Sequence, residues 1–494
     1  MVEQGAHSTP AHLAGQSSRR WWILAVVIIG QLLVVLDTTM MNIALPSAQA
    51  DLGFSDGARG WIVSAYTLAF GSLLLLGGRI GDLFGRKVTF LTGVAGFGIA
   101  SAIAGAAPNF AVLVTARVAE GAFAALLAPI TLAIVSVTFT DVKERSKALG
   151  LFGAISAGGS AIGLLLGGVL TENMSWRWVP YTNVVLAVIT FFAGVALLVK
   201  IPRDAGAKLD ILGTALVCTG LFGLVYGLSN VTSHGWGSLY SWGYMVGGVV
   251  LVTLFVVWQT RAPHPLLPLR VLLDRNRSAS YLATLVNGVG MFGVFLFMSY
   301  FLQQNLQFSP IRSGVAFLPM VAGLVVGSVI STAILLPRIS PKFIVPVGMA
   351  ISTIGVMLLT TLDIESTYAS SVVVPLIVTG FGLGFIVAPA MGLGVTGVDN
   401  DDSGAASAAV NTANQIGGSL GTALLTTLFT TAMQDNLAGK DPMADPLALA
   451  RASVDSYTTV FAWVAGLFAA GFLVTVLLYR RGVAAAGPVL PESQ

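Results

Sequence analysis

An isolated carboxylate, Asp37, lies inside an otherwise uncharged apolar run from Trp21 to Pro46. A membrane-spanning helix needs about 20 mostly apolar residues, and this run is long enough. We therefore expect the side chain at membrane depth, where an ionised aspartate costs about 2.5–3.5 kcal/mol on insertion scales. Acids that remain there commonly bind a proton, a cation or a transported molecule. The alternative is an acid that caps a helix or forms hydrogen bonds between helices.

A second set of charges, Arg117 and Glu120, lies in another apolar run. Residues three apart share a helix face, so the two side chains are expected to point the same way. One interpretation is an ion pair that satisfies itself and holds helices together. The other is a charge site coupled to protonation, with Glu120 as a second acid beside Asp37. A Glu120 paired tightly to Arg117 would carry protons poorly.

Amide, aromatic and thioether side chains in the apolar runs are candidates for lining a cavity. Asn411 and Gln415 are four residues apart and share a helix face. Such amides most often form hydrogen bonds between membrane helices, and lining a cavity is the other interpretation. The aromatic candidates could stack on a ligand or simply pack. The candidate cavity residues are Asn42, Phe123, Phe152, Asn287, Met291, Asn411 and Gln415.

Composition assigns the chain to a membrane. Hydrophobic residues make up 55% of the sequence and charged residues 10%, against about 25% charged in an average soluble domain. The net charge of +3 is small and gives no reason to expect a nucleic-acid partner. The single cysteine, Cys218, excludes an internal disulfide and a cysteine-based metal site. Because no nucleotide-binding Gly-x4-Gly-Lys-Ser/Thr sequence or catalytic arrangement is found, we expect neither an enzyme nor a cofactor.

Fourteen continuous apolar segments are long enough to span a bilayer, which predicts an all-α polytopic membrane protein. The segments run near 21–45, 60–79, 88–107, 110–138, 147–170, 178–199, 210–229, 242–260, 279–303, 313–336, 343–362, 371–397, 403–433 and 457–479. If both termini are cytoplasmic, the segments on the cytoplasmic side carry 19 Lys and Arg residues, and the loops on the opposite side carry 5. This asymmetry obeys the positive-inside rule and supports an even number of spans.

The chain also repeats. The pattern Phe54-Ser55-x4-Gly60 returns as Phe308-Ser309-x4-Gly314 at an offset of 254 residues. Two like-oriented halves predict a transporter that rocks around a central site. The predicted parts are a cytoplasmic tail at 1–20, a six-helix bundle at 21–200, two inserted helices with a cytoplasmic linker at 201–278, a second six-helix bundle at 279–480 and a cytoplasmic tail at 481–494.

A glycine-rich basic loop follows the second apolar segment. It contains the spacing Gly-x3-Asp-x2-Gly-Arg-Lys, formed by Gly78, Asp82, Gly85, Arg86 and Lys87. Glycine permits tight turns where helix ends approach, and an aspartate can accept hydrogen bonds at a helix start. This spacing resembles the loop motif of the major facilitator superfamily.

A second motif indicates a branch of that superfamily. The segment from Leu36 to Pro46 resembles the first-helix motif of the fourteen-helix drug/proton antiporters, the EmrB/QacA type. The resemblance covers nearly the whole chain and implies the major facilitator fold, with two six-helix bundles plus two inserted helices. It implies that the glycine-rich loop is a conformational latch, which clamps the cytoplasmic side while the outside is open. It also implies that Arg117 is coupled to protonation, although the family more often has glutamine where Glu120 stands.

The glycines Gly159, Gly163, Gly167 and Gly168 match the antiporter motif of the family's fifth helix. Close glycine spacing also permits plain helix packing, which is the alternative interpretation. The family has proline after the second of these glycines, whereas this chain has Leu164. The expected kink is therefore softened, which weakens the case for antiport over other forms of coupling.

Together these features predict a proton-coupled exporter of the inner or plasma membrane. Its expected partners are amphipathic small molecules, protons and membrane lipids, and the family implies a monomer. We expect multidrug efflux by alternating access. One alternative is an exporter dedicated to a single endogenous product such as an antibiotic, a lipid or a siderophore. An alternative of another class is a membrane sensor or scaffold that transports nothing.

Overall fold

Long helices account for nearly all of the chain that the structure describes. The structure, a computed structural model, describes residues 11–139, 142–199, 210–263, 265–266, 269–336, 338–395, 398, 403–438 and 446–480. The predicted C-terminal tail at 481–494, residues 201–209 at the start of the predicted region of inserted helices and linker, and the first half of the N-terminal tail lie outside these residues.

The helices of the described residues follow one another with short connections. Their bounds are α1 Ala11–Leu52, α2 Asp56–Phe84, α3 Arg86–Gly105, α4 Phe110–Thr138, α5 Val142–Asn173, α6 Trp178–Leu197, α7 Ile211–His234, α8 Leu239–Gln259, α9 Leu269–Leu272, α10 Arg275–Tyr300, α11 Pro310–Ala316, α12 Leu318–Val329, α13 Pro341–Leu359, α14 Val373–Gly394, α15 Ser403–Leu437 and α16 Pro446–Leu478. Three π-helical turns adjoin them, at Phe301–Asn305, Ile330–Leu335 and Tyr368–Val372. The described residues contain no strand, so the all-α prediction is confirmed for them.

Twelve helical segments of the described residues are long and apolar enough to cross a membrane. The chain is therefore a multi-pass membrane protein. Helices α2 and α5 are not among the twelve, although they are 29 and 32 residues long. The count of fourteen spans thus remains a prediction. Helix α1 begins at Ala11, which is inside the predicted tail at 1–20.

Polar side chains fix where several helices begin. An N-cap side chain can accept a hydrogen bond from a first-turn N–H that has no partner in the helix. The N-cap residues that do so are Asn109, Asp210, Ser238, Asp274 and Ser309. Both copies of the repeated Phe-Ser-x4-Gly pattern span the start of a helix: α2 begins directly after Ser55, and α11 begins directly after Ser309.

Helix contacts divide the structure into two groups. In the first group, α1 packs on α5 and α6, α2 packs on α4, and α3 packs on α4 and α6. In the second, α10 packs on α14, α15 and α16, while α14 packs on α12 and α13. We call these groups, α1–α6 and α10–α16, the first and second bundles. They meet where α2 packs on α15 and where α5 packs on α11.

The two inserted helices lie over one of these meeting lines. Helix α7 packs on both α2 and α15, and α8 packs on α7. Apolar residues of the three helices that meet there form one cluster, which includes Leu68, Val217, Leu221, Val225 and Ala423. The hairpin of α7 and α8 therefore covers the seam between the bundles on the side of α2.

Glycine allows α2 and α4 to approach backbone to backbone. A Cβ at Gly77 would collide with the carbonyl oxygen of Ala125 and lie 2.7 Å from its carbonyl carbon. A Cβ at the neighbouring Gly78 would meet nothing closer than Pro129 Cβ, at 3.7 Å. Close packing of small residues is the usual way in which membrane helices associate.

These neighbouring glycines give a matched test of the packing. We expect Gly77→Ala to lower stability by roughly 1–3 kcal/mol, because a backbone carbonyl must move to make room for the new Cβ. We expect Gly78→Ala to keep the stability of the parent. The measurement is the thermal unfolding of both purified variants in detergent. Equal melting temperatures for the two variants would contradict the close approach of α2 to α4.

Candidate functional site

Asp37, Arg117 and Glu120 form one buried charge cluster. Arg117 Nη1 donates to Asp37 Oδ2 at 2.6 Å and to Glu120 Oε2 at 2.7 Å. Each of the three residues is at most 2% exposed. The expectation that Asp37 is isolated is therefore wrong, because its partner lies 80 residues away on α4. The expectation that Arg117 and Glu120 point the same way is confirmed.

Each acid of the cluster has a second, neutral partner. Asn183 of α6 donates its Nδ2 to Asp37 Oδ1 at 2.8 Å. Ser101 of α3 donates its hydroxyl to Glu120 Oε1 at 2.8 Å. Both oxygens of each carboxylate thus accept a hydrogen bond, which compensates part of the cost of removing them from water.

The guanidinium of Arg117 is also held by α2. Its Nε donates to the carbonyl of Ile62 at 3.2 Å. Its Cζ lies 4.3 Å from the centre of the Tyr66 ring, within the range of a cation–π contact. The cluster therefore joins α1, α2, α3, α4 and α6, and every one of these partners belongs to the first bundle.

The cluster has an unequal number of charges. Its two carboxylates and one guanidinium sum to −1 when all three groups are ionised, and binding of one proton brings the sum to zero. An unbalanced charge is costly where water is excluded. One proton on either acid would remove this imbalance.

The glycines of α5 lie against α1 close to Asp37. A Cβ at Gly163 would collide with the hydroxyl of Thr39, and one at Gly167 would lie 2.8 Å from Met40 Cα. Gly159 faces Leu32 in the same way. Helix α5 runs unbroken from Val142 to Asn173, so the helix is continuous at Leu164, where the family has proline.

The last glycine of this row faces the other bundle. A Cβ at Gly168 would lie 2.7 Å from both Ile311 Cα and the carbonyl oxygen of Pro310, at the start of α11. Glu172 on the same helix accepts a hydrogen bond from Ile311 N at 3.1 Å. Helix α5 thus touches α1 beside the charge cluster and α11 of the second bundle.

The residues of the predicted latch lie where α2 turns into α3. Gly85 joins the two helices with φ +91°, a backbone conformation that favours glycine. Arg86 Nη1 donates to the carbonyl of Ala133 on α4 at 3.2 Å. Lys87 Nζ donates to the carbonyls of Val195 and Leu198, at 2.8 and 2.6 Å, where α6 ends.

The other two residues of the predicted latch, Gly78 and Asp82, belong to α2 itself. Gly78 lies within α2 and faces Pro129 of α4. The side chain of Asp82 lies outside the described part of the structure. The contacts of Arg86 and Lys87 are thus made within the first bundle, and the clamping role of the loop remains a prediction.

Amide side chains with unused hydrogen-bonding atoms lie on α10 and α15. Asn287 is 1% exposed, and neither its Nδ2 nor its Oδ1 has a hydrogen-bond partner among the described residues. The same holds for Asn414 Oδ1 and Gln415 Oε1. A Cβ at Gly71 of α2 would lie 3.1 Å from Gln415 Cβ, so Gln415 lies where the bundles meet. Buried polar atoms usually have partners, which makes these amides candidates for ligand contact.

The other predicted cavity residues have different surroundings. Asn42 is buried, and its carbonyl accepts a hydrogen bond from Ser299 of α10 at 3.2 Å, so it lies between the bundles. A Cβ at Gly96 of α3 would collide with the ring of Phe123, which places that ring inside the first bundle. Phe152 belongs to the apolar core of the same bundle. The last two predicted cavity residues, Met291 on α10 and Asn411 on α15, are partly buried in the second bundle.

The bundles are in direct contact at the end where α1 finishes. Arg59 Cζ lies 4.0 Å from the centre of the Tyr300 ring, and Arg59 Nε donates to Gln49. Gln303 Nε2 donates to the carbonyl of Ile43 at 3.2 Å. With the contacts of Asn42 and Glu172, these bonds close this end of the molecule.

Several members of the site were not predicted from the sequence. Asn183, Ser101 and Tyr66 were not among the expected site residues. The signal for Asn183 was present, since it is an amide inside an apolar segment. Nothing in the sequence paired it with Asp37.

Comparisons with known proteins agree with this architecture. Residues 27–422 match the model of the Major Facilitator Superfamily. The puromycin resistance protein pur8 of Streptomyces alboniger is 44% identical over 475 residues, covering 95% of this chain and 94% of that protein. The cephamycin export protein CmcT of Amycolatopsis lactamdurans is 34% identical and covers 78% of this chain and 80% of that protein. The chain belongs to the Major Facilitator Superfamily.

A solved structure agrees at the level of the fold. The crystal structure of an auto-inhibited peptide transporter of the POT family superposes with a TM-score of 0.67 at 15% sequence identity. It covers 94% of this chain and 98% of that chain. Membership of the superfamily makes the chain a transporter by class and not an enzyme.

Removal of the shared cation tests the cluster. We expect Arg117→Met to destabilise the protein by about 3–5 kcal/mol, because two carboxylates then lose their buried partner. The matched control is Arg20→Met, since Arg20 pairs with Glu144 at 3.1 Å near the surface, with 35% of its side chain exposed. The measurement is thermal unfolding in detergent. Adding Asp37→Asn and Glu120→Gln to Arg117→Met is expected to restore part of the loss, and equal shifts in both single variants would refute a buried cluster.

Proposed function

We propose that the chain is a monomeric, proton-driven exporter of amphipathic small molecules with fourteen membrane spans. The spans would form six-helix bundles at 21–200 and 279–480, with α2 and α5 among them and both termini in the cytoplasm. This is the arrangement of the drug/proton antiporter branch. The observation that carries the proposal is the buried cluster of two acids around one arginine, which a single proton brings to neutrality.

The similarity to two proteins named for resistance and export supports the direction of transport. A proton entering the cell along the membrane potential releases about 2.3 kcal/mol per 100 mV. Uptake of that proton by the Asp37–Arg117–Glu120 cluster on the outside, and its release inside, would connect this energy to export. Release of the proton would also return the cluster to its unbalanced charge, ready for the next cycle.

Coupling between proton and substrate is proposed to be indirect. Both oxygens of Asp37 already bind Arg117 and Asn183, so a cationic substrate would have to displace one of these partners. The unused amide atoms of Asn287 and Gln415 lie on the second bundle instead. We propose that substrate binds between the bundles, near these amides, while the proton binds inside the first bundle.

We propose that helix α5 transmits a movement of α1 to the second bundle. Protonation of an acid weakens its attraction to Arg117, which loosens α1 against the neighbouring helices. Helix α1 rests on α5 at Gly163 and Gly167, and α5 touches α11 at Gly168. A shift of α1 would therefore change the contact that closes the bundles at this end. With the proposed topology that end is outside, so the structure corresponds to an outward-closed state.

Neutralising the acid on α1 tests proton coupling. We expect Asp37→Asn to abolish proton-driven efflux while the protein still inserts, because the cluster can then no longer change its charge at this position. The measurement is the transport of a substrate by the protein reconstituted in liposomes, driven by an imposed pH gradient. The matched control is Asp51→Asn, on the same helix, where the carboxylate binds Trp176 and Arg177 near the surface.

The control variant is expected to transport at close to the parental rate. Full export by Asp37→Asn under the same gradient would refute a coupling role for this acid. Loss of export in both variants would show instead that transport depends on the integrity of α1 and not on the buried charge.

A dedicated exporter is the second candidate, because the two relatives are each named for one compound or class. We expect cells that express the parent to survive several unrelated amphipathic compounds, and cells that express Asp37→Asn to survive none of them. The measurement is the growth-inhibiting concentration of a panel that includes puromycin, a cephamycin and aromatic cationic dyes. Protection against a single compound would favour the dedicated exporter.

A further inference from the structure

A cavity of about 330 Å³ opens at the end of the first bundle where the apolar span of α1 begins. It lies away from the charge cluster and from the amides of the second bundle. Three cations line it, Arg19 and Arg20 of α1 and Lys87 of α3. Most of the remaining lining is aliphatic and includes Val137 of α4 and Val199 after α6. The cavity is therefore both basic and apolar.

The cations of the cavity are only partly engaged by the protein. Lys87 donates to the carbonyls at the end of α6, and Arg19 Nη2 donates to the carbonyl of Leu197 at 3.4 Å. Arg20 pairs with Glu144 at 3.1 Å. A guanidinium has five N–H donors, so these bonds leave donors of the two arginines for a further acceptor. The end of α6 thus engages Lys87 and Arg19, and Glu144 engages Arg20, but none of these bonds explains why three cations surround one cavity.

Neighbouring residues place the cavity at the level of lipid headgroups. The apolar span of α1 begins at Arg19, and that of α3 begins at Arg86. Trp22, next to the two arginines, is 62% exposed, and tryptophan is enriched at the membrane–water interface. Val137 and Val199 are 42% and 53% exposed, so apolar surface continues from the cavity along the outside of the bundle.

We propose that this cavity binds the phosphate group of an anionic amphiphile. The phosphate lies between Arg19, Arg20 and Lys87, and the apolar part of the molecule lies over Val137 and Val199. Basic pockets between membrane helices are suited to anionic headgroups. A membrane phospholipid and a soluble phosphate share this chemistry, and only the lipid also uses the aliphatic lining.

The site connects α1 and α3, which also meet at the end of α6, where both Arg19 and Lys87 donate to carbonyls. Lys87 lies in the first turn of α3, and the two arginines lie where the apolar span of the helix that carries Asp37 begins. An anion held between them ties the start of the apolar span of α1 to the start of α3. The binding does not depend on the proposed transport activity, and the proposed topology decides only that the lipid comes from the cytoplasmic leaflet.

The test measures lipid binding to the purified full-length protein by native mass spectrometry in detergent. The probes are dioleoyl phosphatidylglycerol, dioleoyl phosphatidylcholine and inorganic phosphate. We expect retained adducts with phosphatidylglycerol and far fewer with phosphatidylcholine. Competition by inorganic phosphate at equal concentration would identify a soluble anion as the ligand, and no competition would identify the lipid. Equal binding of both lipids, with no effect of phosphate, would overturn the proposal.

Variants locate the bound lipid. Removal of each cation is expected to weaken phosphatidylglycerol binding about fivefold, so Arg19→Gln with Lys87→Gln should weaken it roughly 25-fold. The matched control is Arg275→Gln, because Arg275 donates to the carbonyl of Leu477 at a helix end of the second bundle and does not line the cavity. Unchanged binding in the double variant, or an equal loss in the control, would overturn the assignment.

A third variant removes space and keeps the charges. Val137→Trp fills part of the cavity from a partly exposed position, so its cost in folding is small. We expect it to weaken phosphatidylglycerol binding at least fivefold, while parental binding by a folded Val137→Trp would exclude the cavity as the site. This variant keeps the proposal testable if the double variant fails to fold.

Discussion

The guanidinium of Arg117 contacts α1, α2 and α4 of the first bundle and supplies the positive charge of the buried cluster. A single nitrogen of this group binds carboxylates of α1 and α4, and the rest of it contacts α2. Breaking a buried ion pair is strongly destabilising when one partner is removed outright. Protonation of an acid weakens the same contact reversibly and leaves both side chains in place. In the proposed mechanism, structural support and proton chemistry are therefore properties of the same atoms, and the position of α1 would depend on the charge of the cluster.

The location of the cluster limits how a substrate can influence it. All its hydrogen-bonding partners come from α1, α2, α3, α4 and α6, and both carboxylates use both oxygens. In the proposed mechanism, a ligand between the bundles would therefore act on the cluster by shifting the helices that carry it. The contacts of α5 with α1 and α11 supply such a connection, because glycine leaves no side chain that could absorb a movement. Packed backbones transmit small shifts directly.

The sequence predicted the local features of the site and missed the distant ones. The apolar runs gave helices, and three-residue spacing gave the common face of Arg117 and Glu120, since helical periodicity is a local property. The pairing of Asp37 with Arg117 spans 80 residues. Periodicity does not say which helices are neighbours, so Asp37 was interpreted as isolated. The same reason explains why Phe123 was a candidate for the cavity. It lies on a helix, as its apolar run predicts, but its ring packs on Gly96 of α3.

The two halves share a repeated pattern but not a charge cluster. The repeat offset of 254 residues carries Asp37 to Met291, Arg117 to Ser371 and Glu120 to Val374, none of which is charged. The second bundle instead holds neutral amides with unused hydrogen-bonding atoms. A charge buried in both bundles would require compensation twice. Confining the charge to one bundle leaves the other free to contact compounds of differing charge through neutral hydrogen bonds and apolar surface, which suits an exporter whose substrates share amphipathic character more than any one functional group.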